Sequence, residues 1–174
     1  NKLADATQAN YYPYRFGVHT IGRKVTVNGG TFNAKAFTTD ARGAYANMSS
    51  AVRTDMIGRQ GVARGEITIH DGEFNVESET SSTVEGIRSY GTVNIDGGTF
   101  NVKSKTTTAY GLYVMDGTTT IDGGTFNIYA GSNTAVGLRS HVYANNEYGY
   151  YVGGEAIING GTFNVNTWGG NTAY

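Results

Sequence analysis

Val93-Asn94-Ile95-Asp96-Gly97-Gly98-Thr99-Phe100-Asn101-Val102 decides the fold, because four further copies of it lie at 25–34, 67–76, 119–128 and 156–165. Each copy reads as two apolar residues one apart, a polar residue, a glycine pair (Asp71-Gly72 once), Thr or Glu, then Phe-Asn and Val, Ile or Ala. A unit this short cannot bury its own apolar side. Repetition at near-constant spacing means that neighbouring copies bury one another.

The phenylalanines of the copies, Phe32, Phe74, Phe100, Phe126 and Phe163, are separated by 42, 26, 26 and 37 residues, and the two equal intervals set the unit at about 26 residues. A second mark follows 11 or 12 residues after each of the first four: Ala41-Arg42-Gly43, Val84-Glu85-Gly86, Ala109-Tyr110-Gly111 and Ala135-Val136-Gly137. The longer intervals then resolve as the same unit with insertions, within 44–65 and within 139–154.

Inside the unit, Val93 and Ile95 flank Asn94, and Phe100 and Val102 alternate with Thr99, Asn101 and Lys103. Period two specifies strands. A third short strand is expected at Gly111-Leu112-Tyr113-Val114 and Gly86-Ile87-Arg88-Ser89, with Leu112 and Ile87 inward. Helical spacing is absent over any ten positions, and 44–56 is the one place where a short helical turn is expected. Three strands per unit separated by glycine turns make an all-β chain, a parallel β-helix solenoid whose strands pair with their equivalents in adjacent coils. Stacking at about 4.8 Å per coil sets the five phenylalanines in one internal ladder. Val25, Val27, Ile67, Ile69, Val93, Ile95, Ile121 and Ile158 form a second. Phe16-Gly17-Val18 repeats the glycine step, so the solenoid spans 14–174, and 1–13 is a cap or linker with the single proline, Pro13.

Composition narrows the function. With 26 glycines, one proline and 39% hydrophobic residues in 174, the chain is folded and turn-rich. Thirteen basic against 14 acidic residues give a net charge of -1, which offers no bulk attraction to nucleic acid or an anionic membrane. Without cysteine, disulfides and thiolate metal sites are excluded. No apolar run approaches the roughly 20 residues of a spanning helix, and no signal segment opens the chain; if the protein is exported, Asn1 follows processing.

The recurrent Ile-Asp-Gly-Gly-Thr-Phe-Asn-Val unit resembles repeats of bacterial surface proteins with right-handed, pectate-lyase-like β-helices, adhesin-like proteins and autotransporter passengers among them. The resemblance covers 14–174 and implies export and display outside the cell or on its surface. It speaks to the scaffold rather than to a site.

Residues that could carry chemistry are few. The glycine pairs precede no helix and lack the Gly-Lys-Ser/Thr context of a phosphate loop, so they are read as corners. Asn28, Asp96, Asp122 and Asn159 should stack in one row with His70 or Asp71 among them. Asp96 and Asp122 would then repel one another across one strand spacing, which either local hydrogen bonds or a Ca²⁺ ion relieves. Asn33, Asn75, Asn101, Asn127 and Asn164 share a register in which amides bond along the stack. Thr31, Thr99, Thr125 and Thr162 form a neighbouring row interrupted by Glu73, too sparse for ice binding.

His19, His70 and His141 lie in different repeat contexts. Polysaccharide lyases of this architecture combine acids with a base in one groove, for which Asp96, Asp122, Arg88 and Arg139 are the candidates; a solvated outer face is the competing reading. The insertion with Tyr143, Tyr148, Tyr150 and Tyr151 is the better contact candidate, since tyrosine joins apolar area to a polar tip. Its rings serve either glycan and protein contact or cover for the solenoid wall.

The last residues, Asn171-Thr172-Ala173-Tyr174, match Thr107-Thr108-Ala109-Tyr110 and stop in mid-repeat. The chain is thus expected either to be part of a longer β-helix or to stack end to end, with Tyr11, Tyr12, Tyr14 and Phe16 meeting Trp168 and Tyr174 of a neighbour. The expected function is a non-catalytic structural or adhesive extracellular β-helix. A carbohydrate-binding or polysaccharide-cleaving β-helix is the alternative.

Overall fold

The computed structural model describes residues 15–21, 24–36, 48–55, 65–79, 83–115, 117–131, 134–141, 154–168 and 172–174. They form five successive coils of three strands. The first coil is β1 (Arg15–Ile21), β2 (Lys24–Val27) and β3 (Thr31–Ala36). The second is β4 (Met48–Asp55), β5 (Gly65–Ile69) and β6 (Glu73–Ser78). The third is β7 (Thr83–Ser89), β8 (Gly91–Ile95) and β9 (Thr99–Ser104). The fourth is β10 (Ala109–Met115), β11 (Thr118–Ile121) and β12 (Thr125–Ala130). The fifth is β13 (Ala135–His141), β14 (Glu155–Ile158) and β15 (Thr162–Thr167). Each strand pairs in parallel with its equivalents, giving sheet A (β1-β4-β7-β10-β13), sheet B (β2-β5-β8-β11-β14) and sheet C (β3-β6-β9-β12-β15). The chain is therefore an all-β parallel β-helix solenoid.

Backbone pairing puts equal positions of the repeat in contact. Phe74 lies opposite Phe32 and Phe100, and Phe126 opposite Phe100 and Phe163. Their rings are near-parallel at centroid separations of 5.0, 4.7, 4.7 and 4.6 Å, which is the strand spacing itself. Ile67, Ile69, Val93, Ile95 and Ile121 fill the sheet B row and are fully buried. The expected inward positions Ile87 and Leu112 are likewise buried, so the three inward rows enclose one continuous core.

Thr119 stands in the inward row between Val93 and Ala156. It is fully buried, and its hydroxyl meets no hydrogen-bond partner among the described residues. A buried hydroxyl without a partner costs its desolvation, so Thr119→Val is expected to stabilise the fold by about 1 kcal/mol. A denaturant midpoint at or below that of the parent would contradict this.

Two types of glycine shape the coil. At the B-to-C corner the second glycine of the pair has positive φ, 98° at Gly98 and 100° at Gly124, a region that a side chain disfavours. Within sheet A the glycine of the second mark faces inward. A Cβ on Gly111 would lie 2.5 Å from the Gly137 carbonyl oxygen and 2.8 Å from Ile128 Cδ1. The strand bends there, and Gly111 and Leu112 turn inward in succession while Tyr110 and Tyr113 stay only half-buried.

One expectation needs correction. Of the stretch 44–56, the described residues 48–55 form β4, a strand and not a helical turn. It lies between β1 and β7, whose edges supply parallel partners for its backbone, and tertiary pairing overrides a weak local signal. The mark at Ala41-Arg42-Gly43 lies outside the described residues; the register opposite Val84 and Glu85 is held by Ser49 and Ser50 of β4. In the last coil Arg139 and His141 belong to β13, so the insertion there begins after His141.

Candidate functional site

Three features stand out on the solenoid: an arginine–tyrosine array on sheet A, a polar row at the B-to-C corner, and an open C-terminal coil.

Counted from the inward glycines, the outer positions of sheet A fall in rows. Arg88 lies opposite Tyr113, and Tyr113 opposite Arg139. The Tyr113 ring sits between the two guanidiniums, whose central carbons are 4.9 and 5.3 Å from its centroid, a cation–π arrangement on both faces. Arg139 also donates to the Tyr110 hydroxyl at 2.9 Å. Arg88 donates to Glu85 at 2.7 Å and to the Tyr90 hydroxyl at 3.0 Å. Glu85 and Arg88 are buried, with 1% and 8% of their surface exposed, whereas Arg139 is exposed and pairs with no carboxylate among the described residues. The inner end of the array is thus a closed ion pair, and the outer end offers a cation.

Burial of Arg88 works against its charge more than any other single influence, but Glu85 and Tyr90 together outweigh it and hold the proton above the usual arginine range. For Tyr113, burial raises the hydroxyl above its ordinary value, against the opposing pull of Arg139 and Arg88. The folded state therefore holds the Tyr113 proton more tightly than the unfolded chain does. That contribution is complete below about pH 10 and is lost as pH rises beyond it. Tyr113→Phe keeps the ring between the guanidiniums and should flatten the alkaline fall in melting temperature. An unchanged alkaline slope would refute this.

At the corner, backbone bonds run from His70 to Val27, Asp96 to Ile69, Asp122 to Ile95 and Asn159 to Ile121. His70, not Asp71, is thus the residue stacked below Asp96. His70 Nδ1 meets Asp96 Oδ2 at 2.5 Å, and Asn159 donates to Asp122 Oδ1 at 2.7 Å. Both candidate metal residues, Asp96 and Asp122, have a polar partner within the row, and no group of three metal-ligating side chains occurs among the described residues. Arg88 and Arg139 stand on sheet A while Asp96 and Asp122 stand at the B-to-C corner, so the four are not brought into one groove.

The asparagine row forms as expected. Asn75 donates to Asn33 at 3.0 Å, and Asn101, Asn127 and Asn164 each donate to the preceding asparagine at 2.8 Å. The four bonds run in one direction along sheet C.

At the C-terminal end the core is open. Ile157, Ile158, Trp168 and Tyr174 are 39%, 54%, 71% and 74% exposed. A hollow of about 530 Å³ is lined by Gly137, Leu138, Ile158, Phe163, Val165 and Tyr174, among others. Thr172–Tyr174 begin a sixth coil: Ala173 bridges Ala135 in parallel, Tyr174 donates its amide to Ala135 at 3.0 Å, and Gly137 donates to the Tyr174 carbonyl at 2.8 Å. Of the contact residues expected from the sequence, Tyr143, Tyr148, Tyr150, Tyr151, Tyr11, Tyr12 and Tyr14 lie outside the described residues, and Phe16 is placed in β1 by its backbone. Glu85, Tyr110 and Tyr113 were missed as a group with the arginines. Counting two residues on from Gly86, Gly111 and Gly137 would have set Tyr113 between Arg88 and Arg139.

The arrangement defines a class, the parallel β-helix solenoid. No family model, curated protein or solved structure matches the chain.

Proposed function

We propose that the chain is a non-catalytic structural or adhesive β-helix displayed outside the cell or on a bacterial surface, as a segment of a longer solenoid or as a unit that stacks end to end. The observation that carries this reading is the regularity of the stack. Five coils keep one register in all three sheets, around one continuous apolar core and along an unbroken asparagine ladder. The outward acids and arginines are engaged by neighbours within the solenoid and not gathered in one groove. Repetition of this kind builds a long scaffold and carries no site by itself. Electron microscopy of the native material is expected to show elongated rods or fibres; isolated compact monomers that cleave a polysaccharide would overturn the reading.

A second reading, carbohydrate binding or cleavage, draws on the outer end of the sheet A array. Exposed Arg139 with Tyr110 and Tyr174 borders a shallow hollow of about 430 Å³, and a cation beside phenol rings suits an acidic sugar. A glycan array with a product-release assay tests it. Retention of acidic glycans that is lost in Arg139→Ala would support it, and no retention on any glycan would remove it.

A further inference from the structure

Two stretches of the chain share one sequence and differ in their surroundings. Asn28-Gly29-Gly30-Thr31-Phe32-Asn33 and Asn159-Gly160-Gly161-Thr162-Phe163-Asn164 are identical residue for residue, and they hold the only two Asn-Gly steps in the 174 residues. Asparagine before glycine is open to attack from its own backbone. The glycine nitrogen reaches the side-chain carbonyl carbon with no Cβ in the way. Local sequence therefore gives the two sites the same intrinsic reactivity, and only the fold can separate them.

At the B-to-C corner of the fifth coil both reacting groups are held. Asn159 Nδ2 donates to Asp122 Oδ1 at 2.7 Å, which fixes the side-chain amide. The Gly160 amide donates to the Ile121 carbonyl at 3.2 Å, sharing that oxygen with the Asn159 amide at 2.8 Å. A Cβ on Gly160 would collide with the Asp122 carbonyl oxygen, so the preceding coil closes around this residue. At the same corner of the first coil, the Asn28 side chain and the Gly29 amide bond to none of the described residues. A Cβ on Gly29 would meet nothing within 4 Å. Exposure does not distinguish the sites, since Asn28 and Asn159 are both exposed. The difference lies in whether the amide and the attacking nitrogen are bonded.

We infer that Asn28 is a site of spontaneous modification, in which the Gly29 nitrogen closes a ring on the Asn28 side chain and water opens it, while the fold protects Asn159. A bond forms from Gly29 N to Asn28 Cγ, and the Cγ–Nδ2 bond breaks with release of ammonia. Water then adds to either carbonyl of the five-membered imide, giving aspartate at position 28 or its isoaspartyl isomer. Water is the one co-reactant. Asp71, Asp96 and Asp122 also precede glycine, but an ionised carboxylate is a poor electrophile for the same attack. The aspartate product adds a carboxylate to the corner row next to His70, whose amide donates to the Val27 carbonyl at 2.9 Å. The isoaspartyl product inserts a methylene into the backbone between β2 and β3, where Gly30 holds a φ of 107°. The site is independent of whether the solenoid is structural or carbohydrate-binding.

The test is timed incubation of the folded 174-residue chain at mildly alkaline pH, with peptide mapping by mass spectrometry and an enzymatic methyl-transfer assay for isoaspartate. The peptide that holds Asn28 is expected to gain one mass unit, part of it as isoaspartate. Its rate should exceed that at Asn159 by about tenfold or more, because Asn159 reacts only after two hydrogen bonds break. In denaturant the two rates should become equal, since the hexapeptides are the same. Asn28→Gln should remove the fast conversion and leave the slow one. An Asn28 peptide of unchanged mass, equal rates in the folded chain, faster conversion at Asn159, or unequal rates in denaturant would each overturn the inference.

Discussion

Phe100→Ala is expected to destabilise the solenoid by about 3–5 kcal/mol, the usual range for truncating a buried phenylalanine. Phe100 is the central rung of the aromatic ladder, fully buried and stacked at 4.7 Å on both Phe74 and Phe126. Removing it opens a cavity between two rings that cannot approach each other, because the hydrogen-bonded backbones of β6, β9 and β12 fix their separation. The lost stacking adds to the transfer and cavity costs. For a domain of this size the melting temperature should fall by roughly 6–20 °C. The rungs at the ends should respond less: Phe163 is only half-buried, and Phe163→Ala leaves a void that already borders the open hollow. A denaturant series across Phe74, Phe100, Phe126 and Phe163 would show this gradient. A parental midpoint for Phe100→Ala would contradict the buried ladder.

Arg88→Met should have an effect of comparable size for a different reason. The Arg88–Glu85 pair spans the inward Gly86 at 2.7 Å and is nearly inaccessible. Removing the guanidinium strands a buried carboxylate, which costs about 3–5 kcal/mol. Substituting both residues, as in Glu85→Leu with Arg88→Met, should recover most of the loss, since a buried pair is often no better than apolar residues of similar volume. The double-mutant cycle separates a paired charge from simple packing: additive losses would mean that the two side chains act independently. Arg88 itself makes no contribution to pH dependence near neutrality, because its raised proton affinity has its effect only at alkaline pH far above that range.

Most of the scaffold was legible because a β-helix converts sequence repetition directly into spatial contact. Identical registers in successive coils meet at strand spacing, so Phe32 to Phe163 and Asn33 to Asn164 could be laid out as ladders by subtraction alone. The sites were less legible. Asp96 and Asp122 read as a repelling pair, yet the bond partners are His70 and Asn159, which approach from the coils on either side. Arg88 and Arg139 read as members of a groove with those acids. Their true neighbours are Tyr113, Tyr110, Tyr90 and Glu85, because the bend at each inward glycine puts the arginines on another face of the coil.

The sequence by itself determined the coil, its core rows and its corners, since a two-residue period and a 26-residue repeat bring the inward Phe, Val and Ile positions of successive copies into shared rows. Only the tertiary structure decided where β4 lies within its irregular coil and which partners satisfy each corner acid. The physical reason is that parallel pairing draws each strand's hydrogen bonds from neighbouring coils, so an irregular segment such as Met48–Asp55 takes its register from β1 and β7 and not from its own residues.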